Sequence, residues 1–171
     1  PSSTNEKKRQ AHVFYKGGII VNEQGNRFVN ESISYKLLGD AALQQPNQRT
    51  YQIWDQTIMD KGVARDALYD FQLLYTEGLM IKADTIEELE ENIILPKNSL
   101  KQTIASYNRF LMTDDDPFGR HTLTHTFGKP TSLENAPFYA METTTAMLAT
   151  YAGVRVNEHG EALNPFGEAI K

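Results

Sequence analysis

Apolar and polar positions alternate between two rhythms along the chain, one suited to strands and one to helices. Gly18-Ile19-Ile20-Val21-Asn22 is a short continuous apolar run, Asn22-Glu23-Gln24-Gly25-Asn26 supplies turn residues, and Arg27-Phe28-Val29-Asn30 follows. That pattern predicts a β-hairpin pairing Gly18 to Asn22 with Arg27 to Asn30. From Ser34 to Gln44, Leu37, Leu38, Ala41 and Ala42 recur at helical spacing, and Pro46-Asn47-Gln48 ends the run. Tyr51-Gln52-Ile53-Trp54 predicts a buried strand and Ala64 to Leu74 a second helix. Thr85 with Glu88 has the spacing of a capping box, after which Ile86, Leu89 and Ile93 share a face. Pro96 is expected to open the next helix, where Leu100, Ile104, Tyr107 and Leu111 repeat at i, i+4, i+7 and i+11. TDDDPFGRH ends it. Phe138 to Glu142 and Val154 to Asn157 read as strands, the latter running into a Glu158-His159-Gly160 turn. Strands at both ends, helices between them and no internal repeat predict an α+β fold with a mixed or antiparallel sheet.

Composition narrows the class. With 171 residues, 40% hydrophobic and 23% charged, the chain suits one soluble globular domain. A formal net charge of −5 argues against a nucleic-acid surface, which needs clustered Lys and Arg. The one basic run, Lys7-Lys8-Arg9, lies in a polar stretch read as a solvated tail over residues 1–11. Cysteine is absent, which removes disulfides, thiolate metal sites and cysteine nucleophiles and suits a reducing cytoplasm. Neither a signal peptide nor an apolar run of about 18 residues is present, so no membrane segment is expected in this chain. The first residue is Pro1, not Met, which points to a processed or excised chain.

Generic chemical motifs mostly fail. No GxGxxG follows a strand and no GxxxxGK[ST] occurs, so no residue here is expected to bind a dinucleotide or a nucleoside triphosphate by itself. His121 and His125 stand four apart, but β-branched residues, a Gly and a Pro surround them, so helical placement and a metal are not expected. Asp114-Asp115-Asp116 lacks the alternating ligands and closing Glu of a calcium loop and reads as a solvated turn.

Five ordered segments carry a more specific message: GGIIVNEQGNRFVNES, ADTIEELEENIILPKNSLKQTIASYNRF, DDPFGR, APFYAMETT and TYAGVRVNEHGEALNPFGEAIK. Together they resemble the fumarate reductase/succinate dehydrogenase flavoprotein superfamily, which includes soluble fumarate reductases, 3-ketosteroid dehydrogenases and tricarballylate dehydrogenase. The resemblance covers residues 12–171 and implies the capping domain that such enzymes insert into a larger FAD-binding domain. The flavin-gripping segments of the superfamily lie before and after this stretch. The resemblance therefore implies a cap whose own FAD-binding domain is missing from the chain, inactive alone, with FAD held by the full-length enzyme. The implied reaction is hydride transfer between flavin and a C–C bond next to a carbonyl or carboxyl group. A cytoplasmic location is expected, with export of a longer protein left open. Two alternatives stand beside this: a cap like that of 3-ketosteroid dehydrogenases, or an independent α+β binding module without enzymatic activity.

The resemblance also implies site residues. Glu31, of the Asn30-Glu31 pair, resembles a residue at the proton-delivery edge of fumarate reductases. It could equally cap the following helix or pair with Arg27. Fumarate reductases place arginines where this chain has Ser32-Ile33-Ser34-Tyr35-Lys36 and Gln56-Thr57-Ile58-Met59, and a histidine-bearing strand where it has Met147-Leu148-Ala149-Thr150-Tyr151-Ala152-Gly153. A dicarboxylate would lack cationic partners here. NESISY is closer to the NESxPY pattern of 3-ketosteroid dehydrogenases, which makes Tyr35 the implied catalytic group together with Glu31. Asn30, Thr150, Tyr151 and Gly153 are the implied lining for an unsaturated carbonyl or carboxylate substrate.

Overall fold

The computed structural model describes residues 10–124, 127–145 and 153–170. In chain order they form α1 (Val13–Lys16), β1 (Ile19–Asn22), α2 (Tyr35–Leu43), β2 (Thr50–Asp55), α3 (Gln56–Met59), α4 (Phe71–Thr76), β3 (Ile81–Ala83), α5 (Ile86–Asn92), α6 (Ser99–Thr113) and β4 (Phe138–Thr143). The sheet runs β1-β2-β4-β3 with every pairing antiparallel, so the chain is an α+β domain as its residue pattern predicts.

Central β2 is buried along its whole length, as the largely apolar Tyr51 to Trp54 stretch predicts. The period of two then sorts β1 between two clusters. Ile19 and Val21 join Ile53, Trp54, Phe71, Leu89, Leu100, Ile104 and Tyr107 in the larger core, while Ile20 turns to Phe14, Tyr15, Val29 and Leu38. Each fully buried aliphatic or aromatic side chain contributes roughly 1.5–3 kcal/mol. Gln52 is a buried polar residue in the middle of β2. Its amide accepts from Val13 N–H at 2.9 Å and donates to Ala11 carbonyl at 3.0 Å, tying the buried start of the described chain to the sheet.

Helix starts follow their capping residues. Thr85 Oγ1 accepts from Glu88 N–H at 3.1 Å, and the Glu88 carboxylate reaches back to Asp84 N–H at 2.9 Å. The capping pair is therefore formed, displaced by one residue at its return bond. Ser34 and Asp55 cap α2 and α3 in the same way. The helix after Pro96 starts at Ser99 instead. Asn98 adopts a left-handed conformation at φ 64°, and the buried Glu90 carboxylate accepts from Asn98 N–H and, at 2.8 Å, from Leu100 N–H.

Three other expectations are corrected. Arg27 to Asn30 is not a strand, because pairing stops at the single bridge Val21–Arg27 and Asn30 Oδ1 turns back to accept from Ser32 N–H. The helix predicted over Ala64 to Leu74 shrinks to α4. Asp66 Oδ1 takes the N–H groups of Leu68 and Tyr69, and Asp70 takes those of Arg65 and Leu73, so side chains divert the backbone bonds a longer helix needs. Val154 to Asn157 shows only the isolated bridge Val156–Ala162. Asn157 and Asn164 each fold a tight turn by accepting two N–H groups on Oδ1, as Asn22 does after β1. The N-x-x-G element at 22, 157 and 164 is thus a short repeated turn beneath a chain with no longer repeat. Among the described residues no helix is long and apolar enough to cross a membrane.

Candidate functional site

The turn after β1 determines where the polar cluster forms. Gly25 has φ +76°, and a Cβ there would lie 2.2 Å from Ser99 Oγ, so the turn sits against the first residue of α6. Thr103 Oγ1 fixes it by donating to Gly25 carbonyl at 2.6 Å. The chain leaving this turn drives Arg27 inward, between the rings of Tyr107 at 4.8 Å and Phe118 at 5.2 Å.

Arg27 is forked on two sides. Its Nε and Nη2 donate to Glu31 at 2.8 and 2.7 Å, and its Nη1 and Nη2 donate to Asp116 at 3.1 and 3.0 Å. Glu31 is fully buried. Its Oε1 also accepts from Ile20 N–H at 3.1 Å, and Arg120 Nη1 stands 3.3 Å from its Oε2. Arg120, 1% exposed, spends its other nitrogens on Ser32 Oγ at 3.3 Å and Phe14 carbonyl at 2.8 Å. Two cations and two anions balance, the condition under which buried charges are tolerated.

The same contacts shift the titrations. Burial alone would lower the Arg27 guanidinium, but the hydrogen bonds and charges of Glu31 and Asp116 outweigh it and hold the proton more tightly than in water. Burial pushes Asp116 up, while hydrogen bonds from Arg27 and from the N–H groups of Phe118 and Arg120 pull it below the ordinary carboxylate range. Burial raises the Tyr107 phenol to about 12, and its hydroxyl has no hydrogen-bond partner among the described residues.

The sequence-derived residues fall around this cluster unevenly. Glu31 is at its centre, paired with Arg27 as one of the alternatives above foresaw. Asn30 is at its edge, donating to Gly119 carbonyl at 2.9 Å. Tyr35 is 49% exposed at the first turn of α2, behind the Ser34 cap. Thr145, two residues past β4, packs on α2 at Gly39 and donates to its carbonyl at 3.3 Å, so the chain following β4 passes one helical turn from Tyr35. Thr150 and Tyr151 lie outside the described residues, and Gly153 is exposed, where an added Cβ would meet no atom of the described residues within 4 Å apart from its chain neighbours.

Asp116 and Arg120 were missed as site residues. Asp114 and Asp115 are exposed as expected, but Asp116 is buried, which corrects the solvated-turn reading at its last residue. The available signal was the DPFGR segment itself, in which an acid and a base flank Pro117, Phe118 and Gly119. Met59, the last residue of the arginine-free Gln56–Met59 stretch, is buried in the main core. Both buried arginines among the described residues are committed to carboxylates, and no described group of three His, Asp or Glu residues is placed to hold a metal. His121 pairs with Asp114 at 3.0 Å.

The site also speaks to a flavin. A pyrophosphate needs open backbone N–H groups, usually at a helix start. Here the starts of α2, α5 and α6 are taken by Ser34, Thr85 and Glu90.

The FAD binding domain family matches the chain over residues 1–171. An NADH:acrylate oxidoreductase of Vibrio harveyi is 32% identical over 90% of this chain, a stretch that is 14% of that protein. A 3-oxosteroid 1-dehydrogenase of Mycolicibacterium smegmatis is 31% identical over 91% of this chain and 31% of its own length. The open conformation of a flavocytochrome c3 fumarate reductase superposes with a TM-score of 0.71 at 24% identity, covering 92% of this chain and 26% of that one. The chain therefore spans less than a third of these proteins.

Proposed function

The chain belongs to the FAD binding domain family, and from that premise we propose that it is the substrate-side capping domain of a longer FAD-dependent oxidoreductase. In this reading residues 12–171 form the cap, residues 1–11 lead into it, and the flavin's phosphates are held by parts of the enzyme outside this chain. The chain's span of less than a third of each of these relatives supports that division. Flavin, when bound, supplies hydride exchange with a substrate C–C bond next to a carbonyl or carboxyl group.

The chain's own contribution is to orient substrate, exclude water and move a proton. The observation that carries the proposal is the placement of Tyr35: a half-exposed phenol at a helix start, four positions along the chain from the fully buried, ion-paired Glu31. Tyr35 is the proton-transfer group in this reading. Glu31 acts from behind it as the buried carboxylate of the edge, and Asn30, Thr150, Tyr151 and Gly153 line the substrate. A phenol does this work only where neighbouring charge or hydrogen bonds favour its ionised form.

Substrate class follows from charge. Arg27 and Arg120 are neutralised by Glu31 and Asp116, so neither is available as a second clamp for a dicarboxylate. A single carbonyl or carboxylate conjugated to a C=C bond suits such a site, as acrylate and 3-oxosteroids would. In the full-length enzyme, Tyr35→Phe is expected to lower turnover at least a hundredfold with flavin content unchanged. Unaltered turnover would reject the role.

A further inference from the structure

We propose that the loop from Asp116 to Thr124 is a positioning element of this site, fixing the Asn30–Tyr35 edge from 89 residues further along the chain. The inference rests on the functional reading of Tyr35 given above. Four separate contacts tie the loop to the edge. Asp116 holds Arg27 at 3.0 and 3.1 Å, and Arg27 in turn holds Glu31. Arg120 reaches both Glu31 Oε2 and Ser32 Oγ at 3.3 Å. Gly119 carbonyl accepts from Asn30 at 2.9 Å, and Thr124 Oγ1 donates to Ser32 carbonyl at 3.3 Å.

These contacts act on Asn30, Glu31 and Ser32, which lie just before Ile33 and the Ser34 cap of α2. Asn30, Glu31 and Ser32 have no strand partners to fix them, because sheet pairing ends at Arg27. Their local bonds, Ser32 N–H to Asn30 Oδ1 and Ile33 N–H to Asn30 carbonyl, shape a turn but do not anchor it to the body of the protein. The loop does. It is itself preformed: Asp116 Oδ1 accepts from Phe118 N–H at 3.0 Å, and Asp116 carbonyl accepts from Gly119 N–H at 2.8 Å. Asp116 and Arg120 are positioning residues in this scheme. They act on Tyr35 through Arg27, Glu31 and Ser32 and touch no substrate.

Two measurements test this. In the 171-residue chain, amide hydrogen exchange is compared between wild type, Asp116→Asn and the milder Thr124→Val, which serves if Asp116→Asn does not fold. Exchange at Ser32, Ile33 and Leu38 is expected to quicken about tenfold or more while the β2–β4 ladder stays within about twofold. Unchanged protection at those three amides overturns the inference. In the full-length flavoenzyme, either variant is expected to lower kcat by about tenfold or more with KM changed less than about threefold. The same substitution in a Tyr35→Phe background is expected to cost less than about twofold, because a misplaced phenol costs nothing once its hydroxyl is gone. An equal loss in both backgrounds would mean the loop does not act through Tyr35. A Tyr35→Phe enzyme with full turnover would instead sink the functional reading, while the exchange result still decides whether the loop orders the edge.

Discussion

Replacing Glu31 by Gln is the most informative perturbation of the buried cluster. Glu31 is 0% exposed and receives N–H groups from Ile20 and, twice, from Arg27, with Arg120 3.3 Å away. The substitution keeps the shape but removes one of two negative charges facing Arg27 and Arg120. The cluster goes from neutral to one excess positive charge in a largely buried site. The glutamine amide also presents N–H groups to a neighbourhood of donors, leaving at least one Arg27 N–H unpaired. Removing one partner from a buried pair costs about 3–5 kcal/mol, a large share of the roughly 5–15 kcal/mol that holds a domain folded. Urea unfolding followed by Trp54 fluorescence would read the loss. Adding Arg120→Met removes the orphaned cation, so the double variant should be less damaged than the two single losses summed, by about 1–3 kcal/mol. A loss below about 1 kcal/mol for Glu31→Gln, or strict additivity, would refute the account of a buried, mutually dependent ion cluster.

Other consequences are simpler to read. Tyr107 is fully buried and its phenol is raised from 10.0 to about 12, so the unfolded chain gives up this proton first and stability should fall as pH rises from about 10 to 12. Tyr107→Phe should remove that component and be neutral or stabilising at pH 7, since the hydroxyl forfeits no hydrogen bond to a described residue; a loss above about 2 kcal/mol at neutral pH would contradict this. Gly25→Ala should cost at least about 2 kcal/mol in urea unfolding, because the residue keeps φ +76° and its Cβ would meet Ser99 Oγ at 2.2 Å. Met59→Arg, the change nearest to a fumarate reductase pattern, buries a charge in the main core and should lower the melting temperature sharply without creating fumarate reduction. A stable variant that reduces fumarate would show that position 59 opens onto the site.

Periodic segments were the legible part of the fold. The apolar faces of α5 and α6 and the buried β2 stand where their spacing put them, because burial of one face fixes both type and location, while α2 forms as a helix with only Leu38 buried and Leu37 58% exposed. Short segments ruled by polar side chains were not legible. Asp66, Asp70, Asn30 and Asn157 spend backbone N–H groups on side-chain oxygens, and each such bond overrides a propensity of a few tenths of a kcal/mol. The site divides along the same line. Arg27 and Glu31 are four residues apart, so their pairing was a foreseeable alternative, whereas Asp116 and Arg120 arrive from 89 residues away through folding alone. An aspartate run followed by DPFGR carries no periodicity that would mark its last acid as buried.

The claim at the centre of this account is a division of labour: this chain furnishes the substrate-side cap, and the flavin is gripped elsewhere in a longer enzyme. It is tested most directly by titrating the purified 171-residue chain with FAD and following flavin fluorescence and absorbance. The account predicts no saturable binding at micromolar FAD, with the chain folded throughout by circular dichroism. Stoichiometric, tight binding would contradict it and would place a flavin site within these residues.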